Sequence, residues 1–172
     1  MFPVAQTGEG GTGVSGKDLN KYLSITVQGE SYGVPVLKVR EIIEYAPETA
    51  LPMMPDCVRG AINLRGRGVP VIDLGRRLGR GRSEVMRRSC IVIVEAPAGA
   101  EVGFDVGLLV DAVNEVVDIA PGEIERTPTF GGKLRNELLL GMGKVKGRFL
   151  MLFDVDRLLT MEDGAALSQA VE

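Results

Sequence analysis

At 172 residues the chain has room for one domain or for two small units with separate cores, and 45% hydrophobic with 25% charged residues is an ordinary globular composition. A net charge of −3 gives no electrostatic reason to bind a phosphate backbone, so nucleic acid is not an expected partner. Histidine is absent, which removes the commonest general base, the commonest metal ligand and any phosphohistidine relay.

Residues Met1 to Lys17 are rich in Gly, Ser and Thr without a hydrophobic period, and read as a disordered tail. They lack the charged start and apolar stretch of a signal peptide, and no run reaches the length of a membrane-spanning helix. A cytoplasmic protein without direct membrane insertion is expected. From Tyr22 to Gln28 the apolar residues Leu23, Ile25 and Val27 alternate with polar ones, as in a half-buried strand. Gln28 to Ser31 turn the chain and Tyr32 to Val36 run back. Leu37 to Arg40 form a single helical turn, then Glu41 to Tyr45 a strand. Pro47, Pro52 and Pro55 shape a long loop.

The hairpin that follows, Gly60 to Leu74, is the centre of the reading. Ile62 and Leu64 alternate with Asn63 and Arg65, which carries these two polar residues to the tip. Gly66 and Gly68 bracket Arg67 in a composition suited to a turn at positive φ. Pro70 donates no hydrogen bond, so the return strand lies at an edge or beside a bulge. A short helix fits Gly75 to Gly79, with Asp73 as its N-cap. Arg76, Arg77, Arg80, Arg82, Arg87 and Arg88 then read as a solvated loop.

Ser89 to Glu95 is a nearly continuous apolar run and should be a buried strand with Cys90 in the core. Cys57 and Cys90 show no Cys-x-x-Cys spacing and read as reduced thiols. A turn over Ala96 to Ala100 leads to a strand from Val102 to Val110, where Gly103-x-x-x-Gly107 suggests a bulge rather than a phosphate loop. Glu115 to Ile119 is a further short strand and Pro121 to Leu134 a connecting loop. Leu138 to Lys146 and Arg148 to Phe153 make a second hairpin, closed by a short helix to Leu159 with Asp154 as its cap. Met161 to Glu172 reads as a frayed helix or a disordered tail.

Two stretches repeat. Gly33 to Ile43 aligns with Gly107 to Val117 at an offset of 74 residues, and Gly66 to Arg76 aligns with Gly147 to Arg157 at an offset of 81. Gly60 meets Gly141 at the second offset. The pattern points to a duplicated β unit, over about 22–79 and 89–159, and to two small β-barrels with little helix. Opposite Asn63-Leu64-Arg65 stands Lys144-Val145-Lys146, so the tip chemistry is expected in the first half alone.

Tyr32-Gly33-Val34, Leu37-Lys38-Val39-Arg40-Glu41-Ile42 and Gly60-x-x-Asn63-Leu64-Arg65-Gly66-x-x-x-Pro70-Val71-Ile72-Asp73-Leu74 resemble the CheW family of chemotaxis coupling proteins, over about Tyr22 to Leu159. The resemblance implies a mainly β fold of two five-stranded, SH3-like barrels side by side and intertwined within 18–160, flanked by tails 1–17 and 161–172. It also implies a non-catalytic adaptor without cofactor or metal. Its partners would be the cytoplasmic tips of chemoreceptors (methyl-accepting chemotaxis proteins) and the regulatory domain of the CheA histidine kinase, and it would be recruited to membrane-associated arrays.

The family's receptor-facing positions fall on Val39, Glu41, Gly60 and Arg65, with Asn63 beside them. Arg65 offers a planar fork for a receptor carboxylate or carbonyl. Glu41 would orient that fork or accept a donor from the receptor, Val39 would add an apolar contact, and Gly60 would let a helix approach closely. The alternative for Arg65 and Glu41 is a surface ion pair with each other. The kinase-facing surface is an apolar face on one barrel, to which no residue is assigned. Other readings are a paralogous coupling protein of a different array, such as one for surface motility, and a β-barrel enzyme or ligand-binding domain with Glu41, Arg65 and Asp73 as its polar cluster.

Overall fold

The computed structural model describes residues 18–98, 101–126 and 138–159; the expected tails and most of the loop before the second hairpin lie outside the described residues. Eleven strands are described. They are β1 Lys21–Val27, β2 Glu30–Pro35, β3 Val39–Glu44, β4 Val58–Leu64, β5 Arg67–Asp73, β6 Cys90–Ala98, β7 Glu101–Val110, β8 Ala112–Asp118, β9 Ile124–Glu125, β10 Leu139–Val145 and β11 Arg148–Phe153. Two short helices, α1 Leu74–Arg77 and α2 Val155–Leu159, follow the two late hairpins, and a 3-10 turn over Val36–Lys38 stands where the helical turn is expected. Asp73 and Asp154 cap α1 and α2, accepting the backbone N–H groups of Arg76 and Arg157 at 3.2 Å each. No helix among the described residues is long and apolar enough to cross a membrane.

The strands form two sheets, β3-β6-β7-β5-β4 and β8-β1-β2-β11-β10-β9. The second has six strands rather than five because Ile124–Glu125 pairs with Gly143 and Met142. The first sheet has a lesser counterpart, a single bridge between Thr49 and Ala61. The duplication is plain in the register. β5 runs parallel to β7 with Val71 opposite Gly107, and β11 runs parallel to β2 with Leu152 opposite Gly33. The strands are exchanged: β1 and β2 join the sheet of β8, β10 and β11, while β6 and β7 join that of β3, β4 and β5.

Each sheet curls around a small core of its own. Ile62, Val69, Val71, Ile91, Ile93 and Leu109 fill the first, and Tyr22, Val117, Ile119, Leu150 and Leu152 the second. The largest cluster lies between the sheets and draws Leu23, Ile25 and Tyr32 from one and Ile72, Val92 and Leu108 from the other. Separate cores are therefore only part of the packing. β1 also departs from a half-buried strand, because Leu23, Ile25 and Val27 face the shared core while Tyr22 faces the second sheet's own core. Tyr32 stacks on Phe153 with ring centroids 4.9 Å apart, fixing β2 against β11.

Local departures have local causes. β6 continues through Pro97, so the strand occupies much of the expected turn. The β6–β7 register shifts between Ala96 and Ala98 rather than between Gly103 and Gly107; Gly107 is needed instead because a side chain there would meet Ile91 at 2.6 Å. Cys90 is half-buried rather than core, its thiol donating to the Arg88 carbonyl at 3.4 Å, and burial raises its pKa. Pro70 sits in an interior strand, opposite Ala61 of β4, yet pairing of β5 with β7 begins only at Val71. The late start of that pairing spares the missing N–H, and the β4 bulge stands opposite Val71 and Ile72 instead.

Candidate functional site

The turn between β4 and β5 consists of Arg65 and Gly66, at φ 53° and 84°. A two-residue turn with both central residues at positive φ follows the right-handed twist of the flanking strands. Gly68 is an ordinary strand residue opposite Asn63, so the turn lies two residues earlier than the Gly66-Arg67-Gly68 pattern suggests. Asn63 Oδ1 accepts the Gly66 N–H at 2.8 Å and ties the turn from within.

Glu41 reaches the same place from the opposite edge of the sheet. β3 and β4 are the two outer strands, and a bulge at Arg40 separates the pairs Val39–Val94 and Glu41–Ile93. Arg65 Nη1 and Nη2 donate to the two carboxylate oxygens of Glu41 at 2.7 Å each. This bidentate contact spans the seam where the curled sheet brings its edges together. The hydrogen-bonded guanidinium holds the Glu41 carboxyl below the usual carboxylate range, against the opposing effect of partial burial. The Arg65 side chain is 69% exposed, so the fork is presented to solvent with its orientation already set. Neighbouring Arg40 turns to Asp105, at 2.7 Å.

The other expected site residues, Val39 and Gly60, pack elsewhere. Val39 is partly buried against the shared core. Gly60 is buried, at φ 149°, and a side chain there would collide with the Thr49 carbonyl oxygen. The close approach that glycine permits here is that of the Pro-rich loop. Structure therefore brings Glu41, Asn63 and Arg65 together at the surface, while Val39 faces the shared core and Gly60 lies at the other end of β4.

A buried polar network missed by sequence reasoning stands at the far end of the same hairpin. Arg59 Nη1 donates to Asp73 Oδ2 at 2.9 Å and to the Ser83 carbonyl at 3.1 Å, and its Nε lies 3.4 Å from Glu48. Burial works against the Arg59 charge, but Asp73 and Glu48 outweigh it and the pKa is raised. Asp73 Oδ2 also accepts the Ser83 N–H at 2.8 Å. An arginine directly before the bulge glycine, where the repeat has Leu140, was the available signal.

The second half repeats the tip. Lys146 and Gly147 occupy the β10–β11 turn at φ 52° and 77°, and Lys146 Nζ lies 3.3 and 3.4 Å from the two Glu115 oxygens, across the seam of the other sheet. An ion pair at the tip is thus not confined to the first half; the arginine fork and the Asn63 clasp are.

A family model described as CheW-like domain matches residues 21–163. The chain is 34% identical over 152 residues to "Chemotaxis protein CheW" of Klebsiella aerogenes, covering 88% of this chain and 89% of that protein. It is 30% identical over 120 residues to "Protein FrzA" of Myxococcus xanthus, covering 67% and 68%. Among solved structures it resembles the scaffolding protein TtCheW from Thermoanaerobacter tengcongensis, with a TM-score of 0.73, 30% identity and coverage of 84% of this chain and 90% of that one.

Proposed function

The chain belongs to the CheW-like family, and from that premise we propose that it is a non-catalytic coupling scaffold of chemotaxis signalling, which ties chemoreceptor tips to the CheA histidine kinase through the surface around Arg65 and Glu41. The observation that carries the site is the bidentate Arg65–Glu41 contact on a clasped turn. An exposed fork held in one orientation loses little side-chain freedom when it meets a partner. It can also exchange one carboxylate for another at small cost, since an exposed ion pair contributes little by itself. Receptor helices that offer a carboxylate or a carbonyl beside an apolar residue fit Arg65 and the rim of Val39. The protein stays on the cytoplasmic side and reaches the membrane only through its receptors.

Two modest interfaces on one rigid body raise the effective concentration of kinase at the receptor, so the function is avidity rather than catalysis. The test is co-sedimentation of kinase with vesicles carrying receptor signalling tips, with and without this protein. Wild type carries kinase into the pellet; Arg65→Glu loses receptor binding by about tenfold or more while keeping its fold and its kinase binding. Wild type that leaves kinase in solution sinks the reading. The similarity to Protein FrzA supports a second reading, a coupling protein of another chemosensory array, which a panel of paralogous kinases in the same assay separates from the first.

A further inference from the structure

About half of the arginines of the described chain are matched, and Arg67, Arg126 and Arg148 are exposed and unmatched at scattered positions. Arg40, Arg59, Arg65, Arg76, Arg80 and Arg157 each lie within ion-pair distance of a carboxylate, and the buried Arg77 donates its Nε–H to the Leu158 carbonyl at 3.1 Å. Arg82, Arg87 and Arg88 are exposed and have no ion pair or side-chain hydrogen bond among the described residues. They share one loop, between α1 and β6, whose single acid is Glu84. Val85 and Met86 lie among them, 41% and 50% exposed. Beside Met86 a shallow cleft of roughly 390 Å³ runs past Arg87 and Arg88 to Glu44, Tyr45 and the half-buried Cys90.

This loop is not a loose tether. Ser83 and Ser89, buried on either side of the exposed residues 84–88, fasten it. Ser83 is bonded through its N–H to Asp73 and through its carbonyl to Arg59, and its hydroxyl meets Gln28 Nε2 at 3.4 Å. Ser89 Oγ accepts the Met86 N–H at 2.7 Å and the Ser89 N–H donates to the Met86 carbonyl at 3.1 Å. Arg80 adds a contact to Glu30 at 2.8 Å. The backbone that carries three unmatched cations and two apolar side chains is therefore fastened at both ends, which lowers the entropy cost of ordering the loop on binding. The loop begins beyond Asp73, at the end of β5 away from the Arg65 turn. Seven residues of β5 separate the Arg65 turn from the start of the loop, while the cleft at Glu44 lies three residues of β3, about 10 Å, from Glu41.

We propose that the loop from Arg82 to Arg88 is a docking surface for an acidic segment of a partner protein, with an apolar side chain of that segment seated against Val85 and Met86. Charge complementarity selects the occupant. Nucleic acid is disfavoured because a single aromatic, Tyr45, borders the arginines where a run of stacked bases needs several. An extended anionic lipid surface would also face the acidic remainder of the molecule, whereas a short segment meets the loop alone. This surface does not depend on the coupling role, and it shares no residue with the Arg65–Glu41 contact.

The test is fluorescence anisotropy with the full chain at about 0.15 M ionic strength. The probes are a labelled peptide Asp-Glu-Asp-Leu-Glu-Asp-Glu, the same peptide with Ser for Leu, a uridine 15-mer, and vesicles of phosphatidylglycerol in phosphatidylcholine. The Leu peptide binds best. The triple variant Arg82→Ser/Arg87→Ser/Arg88→Ser weakens it about tenfold or more, whereas Arg126→Ser/Arg148→Ser leaves it unchanged. Met86→Ser keeps the charge, removes the preference for the Leu peptide over the Ser peptide, and serves as the readout if the triple variant does not fold. Equal binding by wild type and both loop variants, or no binding of the Leu peptide, overturns the proposal. Tighter binding of the uridine oligomer or the vesicles, lost in the triple variant, overturns it in favour of that ligand.

Discussion

The two hairpin tips share a backbone and differ in what they present. Arg65-Gly66 and Lys146-Gly147 adopt the same turn, Gly60 and Gly141 mark the same bulge at φ 149° and 153°, and both turns carry a cation that meets a glutamate across the seam of its sheet. Arg40 and Asn114 occupy equivalent bulges, the one turned to Asp105, the other bonded to Thr26 Oγ1 at 3.0 Å. The differences lie in side chains: a bidentate fork at 2.7 Å against a point charge at 3.3 Å, an Asn63 clasp against Lys144, and strand residue Gly68 against Phe149, 55% exposed. Closing a curled sheet explains what is shared. The proposed receptor contact rests on the side chains that differ.

The largest expected difference concerns the two caps. Asp73 is 1% exposed and compensates Arg59, so Asp73→Ala should cost about 3–5 kcal/mol by stranding a buried charge. Asp154 meets only the exposed Arg157, and Asp154→Ala should cost about 1 kcal/mol, the worth of a lost cap. Urea unfolding midpoints measure both, and equal costs would mean that the Arg59 network adds nothing. Next come the bulges. Gly60→Ala places a methyl against the Thr49 backbone and should cost about 2 kcal/mol or more; Gly141→Ala, where one of the two close atoms is a movable methyl of Ile124, should cost less.

At the tips the comparison becomes one of binding. Arg65→Glu should reduce receptor affinity about tenfold or more and Lys146→Glu by less than about twofold, measured on the same vesicles. Equal losses would place the receptor on both barrels. The smallest effect is a titration. Since the Glu41 pKa is depressed in the folded protein, the Arg65–Glu41 pair contributes stability at neutral pH that is lost as pH falls through that depressed value. The Glu41 carboxyl, followed by NMR, should titrate below the ordinary glutamate range and move back toward it in Arg65→Gln.

Much of this was legible because it is local. Alternation at Leu23-Ile25-Val27, the prolines after Tyr45 and the glycines at 60 and 66 each report on their own neighbourhood, and they placed the strands, the loop and the hairpin. Asn63 and Arg65 reached the tip as their spacing requires. The Lys146–Glu115 pair escaped because its two halves repeat at different offsets, 81 and 74, so no single alignment sets both against Arg65 and Glu41. The turn was placed too late because Arg65 adopts a conformation that composition assigns to glycine. Burial of β1 on both faces depends on strands from distant parts of the chain, and the Arg59 network on two loops meeting the end of β5, neither of which periodicity reports.

The exchanged strands set the order of assembly. The β1–β2 hairpin, residues 21–35, finds its sheet partners only in Ala112–Asp118 and Arg148–Phe153. During synthesis the first hairpin must therefore wait for β8 to pair its β1 edge, and for β11, more than a hundred residues beyond β2, to pair its β2 edge. A chain arrested before β11 could complete neither the second sheet nor the core it shares with the first, which makes this small scaffold an all-or-nothing product of translation.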